Sequence, residues 1–277
     1  MSRPPTVVAV GECTRDRYLD LGVERAGGIS VNFAIMACRA GAAAAVVSCT
    51  GTDDAGEAVR FRLAREEVDA THLHRSTGVT ATQAIETRPG GERVFPPGGY
   101  DPGVLATFRL EPGDLTFIGR FDILAAPWFA QIEHLFWPAI GAAAPRALRA
   151  ADLLDGADLG RDLGGIDRFL RSLDLVFLSG DDDTVRRLTP VAQRHPDTVV
   201  VVTHGAEGST ALAKGRRLSE PAVLIPVAER VDTTGCGDAF QAAFSVAYFA
   251  RGDLAAALRA GAVAASSVIR HVGATGS

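Results

Sequence analysis

Val231-Asp232-Thr233-Thr234-Gly235-Cys236-Gly237-Asp238-Ala239-Phe240-Gln241-Ala242-Ala243-Phe244 decides how this chain is read. A carboxylate, two threonines and two glycines run straight into an Ala/Phe-rich segment that predicts a helix. Asp238 falls at or near its first turn. The backbone N–H groups of Gly235, Cys236 and Gly237 can then point at one spot. Such a nest at a helix N-terminus attracts anions. A carboxylate beside it repels them, so Asp238 makes sense as a base. It would take a proton from a hydroxyl while the nest holds the phosphoryl group being transferred. The same residues also read as a glycine turn with a helix cap.

Working outward, short β-branched runs alternate with longer Ala/Leu/Arg segments. Thr6–Val10, Ala45–Ser48, Asp122–Ala125, Leu175–Leu178 and Thr198–Thr203 read as buried strands. Val31–Ala40, Gly56–Glu67, Ile166–Leu173, Thr184–Arg194, Ala239–Ala250 and Leu254–Ile269 read as helices. This alternation predicts an α/β fold, a mostly parallel sheet covered by helices on both faces. Ligands then sit beyond the C-terminal strand ends. Thr14–Val23 and Thr80–Phe95 break the pattern, alternating polar and apolar residues with no helix following. They predict a small separate sheet, the second segment turning at Pro89-Gly90-Gly91. Early insertions of this kind suggest a lid over the site. No repeat, low-complexity tract or interdomain linker interrupts the chain, so one domain over 1–277 is expected.

Bulk properties narrow the function. The 277 residues are 47% hydrophobic and 22% charged, as in ordinary globular chains. No uncharged stretch reaches the roughly 18 residues of a membrane helix. The N-terminus reads as a first buried strand and not as a signal peptide, so a cytoplasmic location is expected. A net charge of −5 and a pI near 5.7 argue against a nucleic-acid surface. Lys214 is the sole lysine, which excludes a GK[ST] P-loop. Phosphate must therefore be held by backbone amides, arginines or a metal. Cys13, Cys38, Cys49 and Cys236 show no metal-ligand spacing and are expected reduced. Cys236 in the nest reads either as a partly ionised thiol or as a small residue filling a tight turn.

Further loops carry candidate groups. Gly11-Glu12-Cys13-Thr14-Arg15-Asp16 follows the first strand, and Glu12 with Asp16 suits hydrogen bonding to polyol hydroxyls. Gly27 and Gly28 open the first helix and let a ligand approach the backbone, with Asn32 facing that opening; the alternative reading is a glycine turn capped by Ser30. Thr203-His204-Gly205-Ala206-Glu207-Gly208 follows the strand TVVVV and can wrap a nucleotide phosphate, with His204 read as structural. Asp181, Asp182 and Asp183 end another strand. They suggest Mg2+ held largely through water, or an Asp-rich helix start.

Together these motifs resemble the ribokinase-like (PfkB) carbohydrate kinase family over nearly the whole chain. The carriers are GECTRD from Gly11, GGISVNFA from Gly27, THGAEG from Thr203, DTTGCGD from Asp232 and RAGAVAASSVIRHVGA from Arg259. The resemblance implies a ribokinase-like core with a β lid, ATP as donor and a sugar-like alcohol as acceptor. It implies Asp238 as general base and the amides of Gly235, Cys236 and Gly237 as anion hole. Asp16, Gly28 and Asn32 match positions that contact sugar hydroxyls. Thr203, Gly205 and Gly208 match the nucleotide turn, Ala262 the adenine pocket, and the Gly273 loop lies close by. Asp232 sits at a position linked in some members to a monovalent cation such as K+. The family's usual NxxE motif is altered to Gly180-Asp181-Asp182-Asp183, with Asp183 in place of the Glu.

Within the family the chain is most similar to fructoselysine 6-kinases. It shares the GECTRD opening, VTATQ from Val79, Glu92-Arg93-Val94-Phe95, GVLATF from Gly103 and FDILAAPW from Phe121. Arg93 then reads as a partner for the carboxylate of an amino-acid-bearing substrate, or for a surface acid. Trp128 reads as a sugar-stacking or a packed aromatic ring. The expected activity is phosphorylation of a primary hydroxyl, with fructoselysine or another glycated amino acid as acceptor. Alternatives are ribose, fructose, 2-keto-3-deoxygluconate or a nucleoside, or a sugar-sensing protein without catalysis. Lid sheets in this family often pair between subunits, which implies a homodimer.

Overall fold

The strand β1 (Thr6–Val10) alternates sharply between two cores. Val7 and Ala9 face one hydrophobic cluster, while Val8 and Val10 face another. A strand buried on both faces needs a continuous apolar run, and TVVAV supplies one. The computed structural model describes residues 3–155 and 165–276. The remaining positions of the expected 1–277 span lie outside the described residues.

In chain order, β1 is followed by β2 (Thr14–Tyr18), β3 (Val23–Gly27), α1 (Ile29–Arg39), β4 (Ala43–Gly51), α2 (Asp54–Arg65), β5 (Asp69–Ser76), β6 (Ala81–Thr87), β7 (Arg93–Val94) and β8 (Tyr100–Asp101). Then come α3 (Pro112–Ile118), β9 (Ile123–Pro127), α4 (Glu133–Ala142), β10 (Leu148–Asp155), α5 (Asp167–Leu170), β11 (Leu175–Ser179), α6 (Asp182–Arg194) and β12 (Val199–Thr203). The chain ends through β13 (Ser209–Ala213), β14 (Arg216–Glu220), α7 (Cys236–Arg251) and α8 (Leu254–Val268).

Nine strands form one sheet in the order β14-β13-β12-β11-β10-β9-β1-β4-β5. It is parallel except for β13 and β14. Residues of α1, α2, α7 and α8 fill the core on one face, and residues of α3, α4, α5 and α6 fill the other. The α/β expectation is met, and all five predicted strands and six predicted helices are present, β1 with the expected ends and the others with shifted ends. The sequence reading did not include β5, β10, β13, β14, α3 or α4. Thr14–Val23 is not one strand: Tyr18 ends β2, and Gly22 at φ 63° turns the chain back into β3.

β3, β2, β6 and β7 form a second, smaller sheet, with β8 on β6. Its β6–β7 hairpin turns at Gly90 and Gly91, both at positive φ. β1 is flanked by β4 on one side and β9 on the other. The chain therefore winds outward in both directions from β1. The crevice beyond the C-terminal end of such a strand is where open α/β sheets place ligands.

Candidate active site

At that crevice β1 gives way to Gly11 and Glu12. Glu12 is buried, and its carboxylate accepts the N–H of Ile29 at 3.1 Å while its carbonyl accepts that of Ser30. It thus satisfies two donors at the start of α1 that helix geometry leaves orphaned. Ser30, the cap in the alternative reading, does not fill that role: Gly28 occupies the N-cap position, and Ser30 Oγ has no partner among the described residues. A side chain distant in sequence has displaced the local capping residue. Burial raises Glu12 to about 8. Gly28 stands at φ 97°, and a Cβ there would lie 2.7 Å from the Glu12 carbonyl. Asp16, on β2, accepts from Thr14 Oγ1 at 2.7 Å, and burial raises it to about 6.

One turn into α1, Asn32 donates through Nδ2 to Asp238 Oδ2 at 2.7 Å. Asn32 Oδ1 is buried with no partner among the described residues, an acceptor still to be used. Asp238 is 8% exposed in the first turn of α7. Burial, followed by the charges of Asp152 and Asp16, raises it to about 7 against the Asn32 hydrogen bond and the charge of Arg93. A carboxylate so poised can exchange a proton near neutrality.

The turn before α7 is tightly specified. Gly235 sits at φ 81°, and a Cβ on it would fall 2.0 Å from the Ala274 methyl. The N–H groups of Gly235 and Gly237 have no protein partner among the described residues. The Cys236 N–H instead donates to Thr233 O at 3.2 Å, closing the turn. Two of the three expected anion-hole amides are therefore available. The Cys236 thiol is pushed up to about 11 by burial, so it favours the packing reading over the ionised one.

Asp232 is fully buried and accepts from Tyr18 Oη at 2.6 Å, Thr234 N and Oγ1 at 2.8 and 2.7 Å, and Gly273 N at 2.8 Å. It binds the smaller sheet, the α7 turn and the C-terminal loop into one knot. Four protein donors surround the carboxylate where a monovalent cation was expected. Gly273 acts behind the turn, not on the cavity wall.

A cavity of about 800 Å3 opens beside this turn. Thr203, Gly205, Gly208 and Ala262, the expected nucleotide residues, all line it, as do Cys236, Gly237 and Arg93. His204 bridges Gly180 O and Thr210 Oγ1, in keeping with a structural role. Arg93 projects from the β6–β7 hairpin. Its N–H donates to Thr233 Oγ1 and its guanidinium to Thr233 O, each at 3.1 Å, and it stacks on Phe95. It forms no ion pair among the described residues.

Asp181 caps α6, Asp182 pairs with Arg217, and Asp183 pairs with Arg186 at 2.8 Å on a half-exposed surface. Asp183 is not among the cavity's lining residues, whereas Asp155 is. Trp128 packs edge-on against Phe169 with Arg168 over its ring. That placement is the packed reading of this tryptophan.

Sequence reasoning missed Asp152. This half-buried residue's carboxylate accepts from Leu154 N at 2.9 Å, and desolvation raises its pKa. β10 shifts register between Asp152 and Asp155, and Leu154 stands at φ 60°. Strained backbone of this kind clusters at working sites. The Asp-Leu-Leu-Asp pattern gives no sign of it. Gln241, one turn after Asp238 on α7, neighbours Asp152, and no motif singled it out.

A doubly wound core, a buried carboxylate at a glycine-led helix start and a cavity of about 800 Å3 beside it are features that a phosphotransferase requires. Residues 6–111 and 172–277 match the pfkB family of carbohydrate kinases, and the chain belongs to that family. It is 32% identical to the fructoselysine 6-kinase of Escherichia coli strain K12, over 97% of this chain and 99% of that protein. The solved adenosine kinase of Sinorhizobium meliloti superposes with a TM-score of 0.83 at 21% identity, covering 98% of this chain and 95% of that one. Arabidopsis thaliana ribokinase, complexed with ribose and ATP, superposes at 0.78 and 21% identity, covering 98% and 95%. The fold is ribokinase-like, and the protein is an ATP-dependent sugar kinase. Among the described residues no helix is long and apolar enough to cross a membrane.

Proposed function

We propose that this kinase transfers the γ-phosphoryl group of ATP to a primary hydroxyl of a glycated amino acid, with fructoselysine as the representative acceptor. The observation that carries the chemistry is Asp238, buried and oriented by Asn32, beside the unpartnered amides of Gly235 and Gly237. Asp238 takes the hydroxyl proton as the oxygen attacks in line. The two amides receive the charge on the transferred group. Asn32 Oδ1, Asp16 and the Gly28 backbone meet the sugar hydroxyls. Glu12 acts one step back, holding the start of α1.

ATP fits the cavity by volume and by lining. Thr203, Gly205 and Gly208 wrap its phosphates, and Ala262 faces the base. Mg2+, when bound with ATP, neutralises the β- and γ-phosphates. Asp183, expected at the metal, pairs with Arg186 and does not line the cavity; Asp155 does line it. A monovalent cation beside Asp232 meets a carboxylate already given four donors, so it would rest on neighbouring carbonyls. The dependence of rate on KCl tests it.

The choice of acceptor is supported by the full-length similarity to a fructoselysine 6-kinase and by Arg93. Its guanidinium reaches the cavity from the small sheet, which serves as a lid, and fits an amino-acid carboxylate. A second copy would pair through the lid edge, and the solution mass tests that.

The experiment is ADP release with Mg-ATP against fructoselysine, other glycated amino acids, ribose, fructose, 2-keto-3-deoxygluconate and adenosine. Turnover confined to glycated amino acids is expected. Turnover with a plain sugar or nucleoside instead overturns the acceptor and leaves the chemistry. Silence from a folded protein, with binding but no ADP, would return the sensor alternative.

A further inference from the structure

At the far edge of the large sheet, β5 carries His72 and His74 two residues apart, and so on one face. Leu73 between them points into the core. Opposite stands Asp114, in the first turn of α3 and 1% exposed. His72 Nδ1 lies 2.7 Å and His74 Nε2 2.8 Å from the same atom, Asp114 Oδ1. The three ligand atoms fall within 4.8 Å of one another, and no other such trio of His, Cys, Asp or Glu occurs among the described residues. None of them lines the ATP cavity.

Each group is held from behind. Asp114 Oδ2 accepts the Glu111 N–H at 2.8 Å, which leaves Oδ1 turned to the histidines. His72 stacks on Phe117 at 4.0 Å between centroids, and His74 leans on Phe108 at 5.1 Å. Anchored carboxylates and clamped imidazoles are what metal sites use to pre-orient their ligands. Two imidazoles and one carboxylate suit Zn2+ and its first-row neighbours rather than Mg2+ or Ca2+. Both rings are about one-quarter exposed, which leaves an access path from solvent.

We propose that His72, His74 and Asp114 form a binding site for a transition-metal dication of the Zn2+ class, which ties α3 to the edge strand β5. Bonds of about 2.0–2.1 Å place tetrahedral ligands roughly 3.3 Å apart. Filling the site therefore spreads each His–Asp contact by about half an ångström, within reach of two partly exposed rings. In the empty site both ring nitrogens donate protons to Asp114. With the ion bound each gives a lone pair instead, and the neutral ring carries its proton on the other nitrogen. Water completes the coordination.

The test uses tag-free, chelator-stripped protein without nucleotide, titrated calorimetrically with Zn2+ and followed by visible absorption with Co2+. One equivalent is expected to bind with micromolar Kd and to raise the melting temperature. His72→Gln and His74→Gln keep an N–H for Asp114, so the fold persists. Each should weaken Zn2+ at least about tenfold and abolish the tetrahedral Co2+ band, with turnover on Mg-ATP unchanged. The proposal is overturned if no saturable binding appears below about 1 mM metal. It is equally overturned if both variants, folded by circular dichroism, bind as the parent does; the trio is then a hydrogen-bonded staple only.

Discussion

Replacing Asn32 by leucine keeps the branched outline and the number of side-chain heavy atoms and removes the one donor to Asp238 among the described residues. That hydrogen bond opposes burial, which holds Asp238 up at about 7. A hydrogen bond to a charged group is worth about 1.5–3 kcal/mol, and one pKa unit is about 1.36 kcal/mol. Its loss should therefore lift the base by roughly one to two units. At pH 7 the ionised fraction then falls from about one half to between one tenth and one hundredth, a loss of about 5- to 50-fold in kcat/KM. The sign follows from the base being the ionised form: a higher pKa moves the acidic limb to higher pH, and rate returns on the alkaline side. The assay is kcat/KM from about pH 5.5 to 9.5. A further drop in the alkaline plateau would report the lost contact of Asn32 Oδ1 with the acceptor. An acidic limb that stays in place, whatever the plateau does, refutes the role of Asn32 in setting the base.

Gly235→Ala places a methyl on Ala274 at a left-handed φ; kcat should fall on the order of 10²-fold or more with a lower melting temperature, whereas Gly22→Ala, in open space at φ 63°, should keep full activity. Tyr18→Phe removes the hydroxyl that donates to buried Asp232. It should cost about 1–3 kcal/mol, at about 2–4 °C per kcal/mol in a thermal melt, and an unchanged melt would deny that Asp232 is a structural knot. Burial holds Glu12 near 8, Asp238 near 7 and Asp16 near 6, all above their unfolded values. Stability from such groups is full below about pH 4 and is lost as pH rises through the folded values. The melting temperature of the ligand-free protein should thus fall between about pH 5 and pH 9. Glu12→Gln, neutral throughout and still able to accept from Ile29, should flatten that fall; parallel slopes would rule the burial argument out.

Reading the site from sequence worked where chemistry is local and failed where the fold brings distant groups together. Asp232 to Asp238 form one contiguous turn, so the Asp238 carboxylate could be set beside the glycine amides from their order alone. Thr203, Gly205 and Gly208 end a β-branched strand, which put them at the correct sheet edge. Glu12 displaces Ser30 as the cap of α1 only because β1 and α1 meet in space, seventeen residues apart for Glu12 and Ile29. The Cys236 amide looked free because a turn closed by Thr233 O has no signature beyond its glycines. Asp152 was invisible because its register shift arises from pairing with β11. β13 and β14 lack long apolar runs, being an antiparallel edge of an otherwise parallel sheet. β2 was read through Gly22 into β3, although Asp20-Leu21-Gly22 offered a turn signal.

Thr233 has a mechanical consequence. Its N–H donates to Gly91 O, its hydroxyl accepts the Arg93 N–H, and its carbonyl accepts the Arg93 guanidinium. That same carbonyl closes the turn that aims the amides of Gly235 and Gly237. In this structure the hairpin is seated on this turn through all three contacts. Any lifting of the hairpin would have to break these contacts and so pull on the turn, like a door that shares a hinge with its latch.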